Sequence, residues 1–159
     1  MKQQITDFIY SHREDMMEII KQLVEIPSVK GAPEPGAPFG AEPRRALGKM
    51  LEICRRYGFV TGCHDDVMGT ADYDPAGKIG LGILCHLDVV PAEPRNWSYP
   101  PFQLTRREGK LFGRGVIDDK GPCAAALCAL WCVKELGLSL KKGVRLLFGT
   151  DEENGSEDL

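Results

Sequence analysis

Ile5, Phe8, Ile9, Met16, Ile19, Ile20, Leu23 and Val24 recur at three- and four-residue spacing. The spacing predicts one amphipathic helix, ended by Pro27. Residues 28–43, with Pro33, Pro35 and Pro38, read as a surface loop. Leu47, Met50, Leu51 and Cys54 mark one face of a second helix over 44–57, with Pro43 in its first turn and Gly58 at its end. Short strands are predicted over 59–63 and 68–73, and a turn over 74–77. The apolar, Gly-interrupted run 79–85 suits a strand buried on both faces. Residues 104–107 and 110–112 flank Glu108-Gly109 as a hairpin. A strongly apolar helix over 122–136 opens at Gly121-Pro122 and closes at Gly137, and 143–148 is another buried strand. Strand, helix and strand with no tight turn between them imply a crossover, so the fold class is α/β with a mixed or parallel sheet flanked by helices.

Length and composition narrow the setting. The 159 residues make one domain by length. Charges of both signs are interspersed and sum to −3, with no basic stripe to hold nucleic acid. The N-terminus lacks the apolar core of a signal peptide, and the longest apolar stretch, 123–133, is too short to span a bilayer. A cytoplasmic protein with no nucleic-acid or membrane partner is expected. The six cysteines include no C-x-x-C pair. They read as reduced thiols packed as small apolar groups.

Three runs carry chemistry, and each follows an apolar run: Cys85-His86-Leu87-Asp88-Val89-Val90-Pro91, Gly113-Arg114-Gly115-Val116-Ile117-Asp118-Asp119-Lys120-Gly121, and Gly149-Thr150-Asp151-Glu152-Glu153. Ligands of open α/β sheets gather beyond the carboxyl ends of strands, which is where His86 falls. Asp88, two residues on, can leave the strand on the same side and fix the imidazole tautomer. Asp118 and Asp119 lie between glycines that let the chain turn, just before a helix N-terminus. Glu152 and Glu153, read as extended chain, point to opposite sides. Taken singly, each run has a plain structural reading: a strand-end histidine near a surface aspartate, an Asp-Asp helix cap, a solvated acidic turn. Taken together they assemble a histidine, a central aspartate and a glutamate pair, which are metal ligands plus a general base of the zinc-hydrolase type.

His86-Leu87-Asp88-Val89-Val90-Pro91, Gly113-Arg114-Gly115-x-x-Asp118-Asp119-Lys120-Gly121-Pro122 and Thr150-Asp151-Glu152-Glu153 resemble the signatures of the dinuclear zinc metallopeptidases. That group includes acetylornithine deacetylase, succinyl-diaminopimelate desuccinylase and carboxypeptidases. Ile26-Pro27-Ser28-Val29 and the stretch 97–102 are similar to further family patterns, and Asp119 with Pro122 resembles the bacterial Xaa-His dipeptidases of the peptidase V type. The resemblance implies that residues 1–159 are the N-terminal portion of a zinc-aminopeptidase-like catalytic domain. It implies His86, Asp118 and Glu153 as metal ligands, with Asp118 bridging two Zn2+ ions; Mn2+ or Co2+ would also suit the set. It implies Asp88 as the orienter of His86, Glu152 as the general base, a cis Asp118–Asp119 peptide, and a dipeptide or short peptide as substrate.

The family also supplies a later carboxylate ligand, a last histidine and a lid domain. No histidine follows His86. The expectation is therefore a portion of the enzyme that is inactive alone, lacks its C-terminal half as partner, and tends to self-associate. An N-acyl-amino-acid deacylase of the same fold and a non-catalytic binding module are the alternative readings.

Overall fold

The computed structural model describes residues 1–75 and 77–158. Helices α1 (Lys2–Ser11), α2 (Arg13–Val24) and α3 (Ala41–Arg56) come first, then strands β1 (Val60–His64), β2 (Met68–Tyr73) and β3 (Ile79–His86). A β4–β5 hairpin (Thr105–Arg107, Lys110–Phe112), helix α4 (Lys120–Glu135) and strand β6 (Gly143–Gly149) follow. The main sheet has the order β1-β2-β6-β3. β1 pairs with β2 and β2 with β6 antiparallel, whereas β3 and β6 are parallel, so the sheet is mixed.

The helices form one layer on the sheet. α2 packs against α3 and α4, α3 lies on β1 and β2, and α4 lies on β3 and β6. One apolar core fills the space between, built from Leu23, Leu47, Met50, Leu127, Leu146 and Phe148 among others. Each fully buried aliphatic or aromatic side chain of this set contributes about 1.5–3 kcal/mol.

Several expectations change in detail. The N-terminal helix is two helices, broken at His12, whose backbone φ is −105° and ψ 17°. Its ring Nδ1 lies 2.8 Å from the Phe8 carbonyl oxygen, and the ring stacks on Phe8 and meets the edge of Trp131. That local bonding competes with continuation of the helix. β3 is buried only at Cys85 and His86, not on both faces, because its outer edge carries no strand among the described residues. The hairpin turn stands as predicted: Glu108 (φ 51°) and Gly109 (φ 73°) both take the left-handed backbone of a two-residue turn. The predicted turn at 74–77 includes Ala76, which lies outside the described residues. No helix is long and apolar enough to cross a membrane among the described residues.

Candidate metal centre

β3 and β6 end on the same rung. His86 pairs with Gly149, and the next amide, Leu87 N–H, donates to the Gly149 carbonyl at 2.9 Å. The chain therefore leaves both parallel strands at their carboxyl ends side by side, and the His86 and Glu152 runs emerge together.

Asp88 joins them. Its side chain is fully buried, with one carboxylate oxygen 3.3 Å from His86 Nδ1. The Glu152 N–H donates to Asp88 Oδ1 at 3.1 Å, and the Glu153 N–H donates to Oδ2 at 3.0 Å. Burial opposes ionisation of Asp88, but His86 and these two amides outweigh it and hold the carboxyl below its ordinary range. Glu152–Asn154 is a turn of 3₁₀ helix rather than extended chain. Turning is what lets two successive amides aim at one carboxylate.

The second run arrives from the β5–α4 connection. Gly115 takes a positive φ of 86°, and the Asp118–Asp119 peptide is cis. Asp118 Oδ1 lies 3.0 Å from His86 Nε2, and Glu152 Oε2 lies 3.8 Å from the same nitrogen. Burial and the charges of Asp118 and Asp88 push the Glu153 carboxyl upward, with His86 opposing. The structure thus brings His86, Asp88, Asp118 and Glu152 into one cluster, to which Glu153 is joined through its backbone amide. Burial alone would lower the His86 pKa, yet its bonds to Asp88 and Asp118 raise it to about 9. Asp88, Asp118 and Glu152 place carboxylate oxygens 3.3, 3.0 and 3.8 Å from one imidazole, a concentration of negative charge that suits a cation. The donors are nitrogen and oxygen, the set that borderline and hard divalent cations take. The residues fit a metal.

Other residues act behind this cluster and carry no role in the sequence reading. Asp119 turns away from Asp118, and its Oδ2 accepts the backbone N–H of His86 at 3.1 Å. Burial raises its pKa, against the pull of that amide. Lys120 is fully buried and donates from Nζ to the carbonyls of Leu23 (2.9 Å) and Ile26 (2.7 Å) at the end of α2. Burial lowers its pKa to about 7. Ser28 Oγ donates to the Leu87 carbonyl at 2.6 Å, and Lys30 pairs with buried Asp151 at 2.7 Å. Asp158 accepts the amides of Thr150 and Asp151. The acidic-basic run Asp118-Asp119-Lys120 was the available signal for two of these, and the Ile26-Pro27-Ser28-Val29 resemblance for Ser28; Asp158 offers none in sequence.

The unused histidines stand apart from the site. His64 lies at an exposed turn where Asp65 and Asp66 have positive φ. Trp97, Tyr99 and Phe102 line a separate shallow depression with Pro94, Pro100 and Pro101.

The chain is similar to known proteins in sequence and fold. Residues 82–159 match the family described as peptidase family M20/M25/M40. "Putative dipeptidase YtjP" of Bacillus subtilis is 39% identical over 144 residues, 89% of this chain and 31% of its own length. The chain thus spans about a third of the curated relatives it matches. Among solved structures, human carnosine dipeptidase 1 superposes with a TM-score of 0.84 at 26% identity, over 100% of this chain and 36% of that one. Bacillus subtilis YxeP, described as a dinuclear metal-binding peptidase of the M20 family, shares the fold at a TM-score of 0.65 and 14% identity, over 91% of this chain and 36% of its own.

Proposed function

We propose that this chain, whose residues 82–159 match peptidase family M20/M25/M40, supplies the first half of a dinuclear metal site that hydrolyses dipeptides in the cytoplasm. The observation that carries the reading is the cluster in which one histidine and three carboxylates meet at the carboxyl ends of two parallel strands, with Glu153 next in the same turn. In this reading His86, Asp118 and Glu153 hold the cations, two Zn2+ in the whole protein, and Asp88 orients His86. When bound, the cations supply Lewis acidity to the attacking water and to the scissile carbonyl.

The chain's own residues do the rest. Asp88 keeps the proton of His86 on Nδ1, so that Nε2 presents its lone pair toward Asp118 and Glu152. Glu152 stands half exposed beside that nitrogen, free to take a proton from water and return it to the leaving amine. Glu153 shares an amide clamp with Glu152, so base and ligand keep a fixed relation. Relatives named as dipeptidases point to a short peptide as the substrate. The remaining two thirds of the length of such relatives would bring the other ligands and the substrate lid.

The experiment is Glu152→Ala in the full-length protein. Turnover of a dipeptide is expected to fall by about two to four orders of magnitude, while metal content measured by atomic absorption stays at the wild-type level. Loss of the metal with the activity would make Glu152 a ligand and overturn the assignment of base. Preference for N-acetyl amino acids over dipeptides would replace the dipeptidase reading with a deacylase.

A further inference from the structure

Directly behind the cluster lies a second set of convergent ligands. The thiols of Cys85 and Cys123 and the carboxylate of Asp119 come within 4.8 Å of one another. Cys123 Sγ is 3.8 Å from Asp119 Oδ2 and 3.2 Å from the His86 carbonyl oxygen. A tetrahedral ion with metal–sulfur bonds of about 2.3 Å and metal–oxygen bonds of about 2.0–2.2 Å holds its ligand atoms roughly 3.5–4 Å apart. The three side chains are therefore nearly at coordination spacing already. All three are tied to secondary structure: Cys85 to β3, Cys123 to the first turn of α4, and Asp119 to the residue before it. Cys85 and Asp119 also line a cleft of ≈ 240 Å³ together with His86 and Glu152, so an ion and its water reach the rear set through the same opening as the front cluster.

We propose that Cys85, Cys123 and Asp119 form a thiolate-rich site for a soft divalent cation such as Cd2+, or Zn2+ in excess, separate from the nitrogen and oxygen cluster in front of it. Each thiol gives its proton to solvent as the sulfur–metal bond forms. The carboxylate takes a third position and cleft water the fourth. Asp119 Oδ2 now holds the His86 backbone amide, so filling this site draws that oxygen toward the ion and loosens the amide. Occupation of the rear site and the seating of His86 are thereby in competition. The proposal does not rest on the dipeptidase reading, because the cluster in front contains no sulfur.

The test uses the full chain carrying Cys63→Ser, which removes the exposed thiol, and Cd2+ as the probe. Thiolate-to-cadmium charge transfer in the ultraviolet reports sulfur ligation alone. One Cd2+ per chain is expected to give a band of two-thiolate intensity. Cys85→Ser and Cys123→Ser should each weaken binding at least tenfold, and Asp119→Asn should weaken it with the band still present. The 113Cd resonance of the loaded protein checks the donor set without any variant, a two-sulfur shift supporting the site. Absence of the band at millimolar Cd2+, a band unchanged in Cys85→Ser/Cys123→Ser, or a 113Cd shift of purely oxygen and nitrogen ligation overturns the proposal.

Discussion

At the scale of single residues, the side chains that hold the cluster together outnumber those that face it. Asp88 meets imidazole Nδ1 with its backbone carbonyl at 3.2 Å and its carboxylate at 3.3 Å, accepts two amides on its other side, and reaches no open space of its own. Replacing it with alanine is expected to weaken metal binding about 10–100-fold, read by isothermal titration calorimetry. Lys120 is a different kind of support. Lys120→Ala leaves the Leu23 and Ile26 carbonyls without their buried donor, at a cost of about 1–3 kcal/mol for each, visible as a lower urea midpoint. That His86, Asp88, Asp118 and Glu152 come together was legible only from the three runs taken jointly, and the roles proposed for them came from the family resemblance. What Asp119, Lys120 and Ser28 do was not legible, since a buried ammonium or hydroxyl bonded to backbone carbonyls looks, in sequence, like any surface lysine or serine.

At the scale of elements, the N-terminus of α4 depends on a close approach. A Cβ on Gly121 would stand 2.0 Å from the Val116 carbonyl oxygen, a backbone atom with no side-chain freedom to retreat. Gly121→Ala therefore forces the helix start away from the 113–119 turn. Destabilisation of more than about 1–3 kcal/mol is expected, with loss of metal binding even at temperatures where circular dichroism reports a folded chain. The strands and α4 were predicted nearly to the residue, because apolar runs of those lengths bounded by glycine admit few alternatives. Two elements escaped: the break at His12, where periodicity runs on unchanged through a bonded ring, and the 3₁₀ turn at Glu152–Asn154, whose cause lies 64 residues away at Asp88.

At the scale of the whole molecule, five of the six thiols are buried and Cys63 alone is exposed. Burial pushes Cys54 up to about 12 and Cys128 up to about 11, so neither offers a thiolate near neutrality unless a metal displaces the proton. Native protein is expected to titrate one fast thiol with Ellman's reagent, and Cys63→Ser none. The outer edge of β3 leaves Leu81 and Leu84 more than half exposed. The 159-residue chain on its own is expected to associate as its concentration rises, and Leu81→Lys/Leu84→Lys to hold it monomeric in sedimentation.

The shared rung of His86 and Gly149 also constrains how such chains can diverge. An inserted or deleted residue in either strand near its end would flip the side chains beyond it to the opposite face and carry one half of the cluster away from the other. Length variation among descendants should therefore accumulate in the 28–40 and 91–103 loops and vanish over 84–88 and 147–153, a record of the register written in gaps rather than in letters.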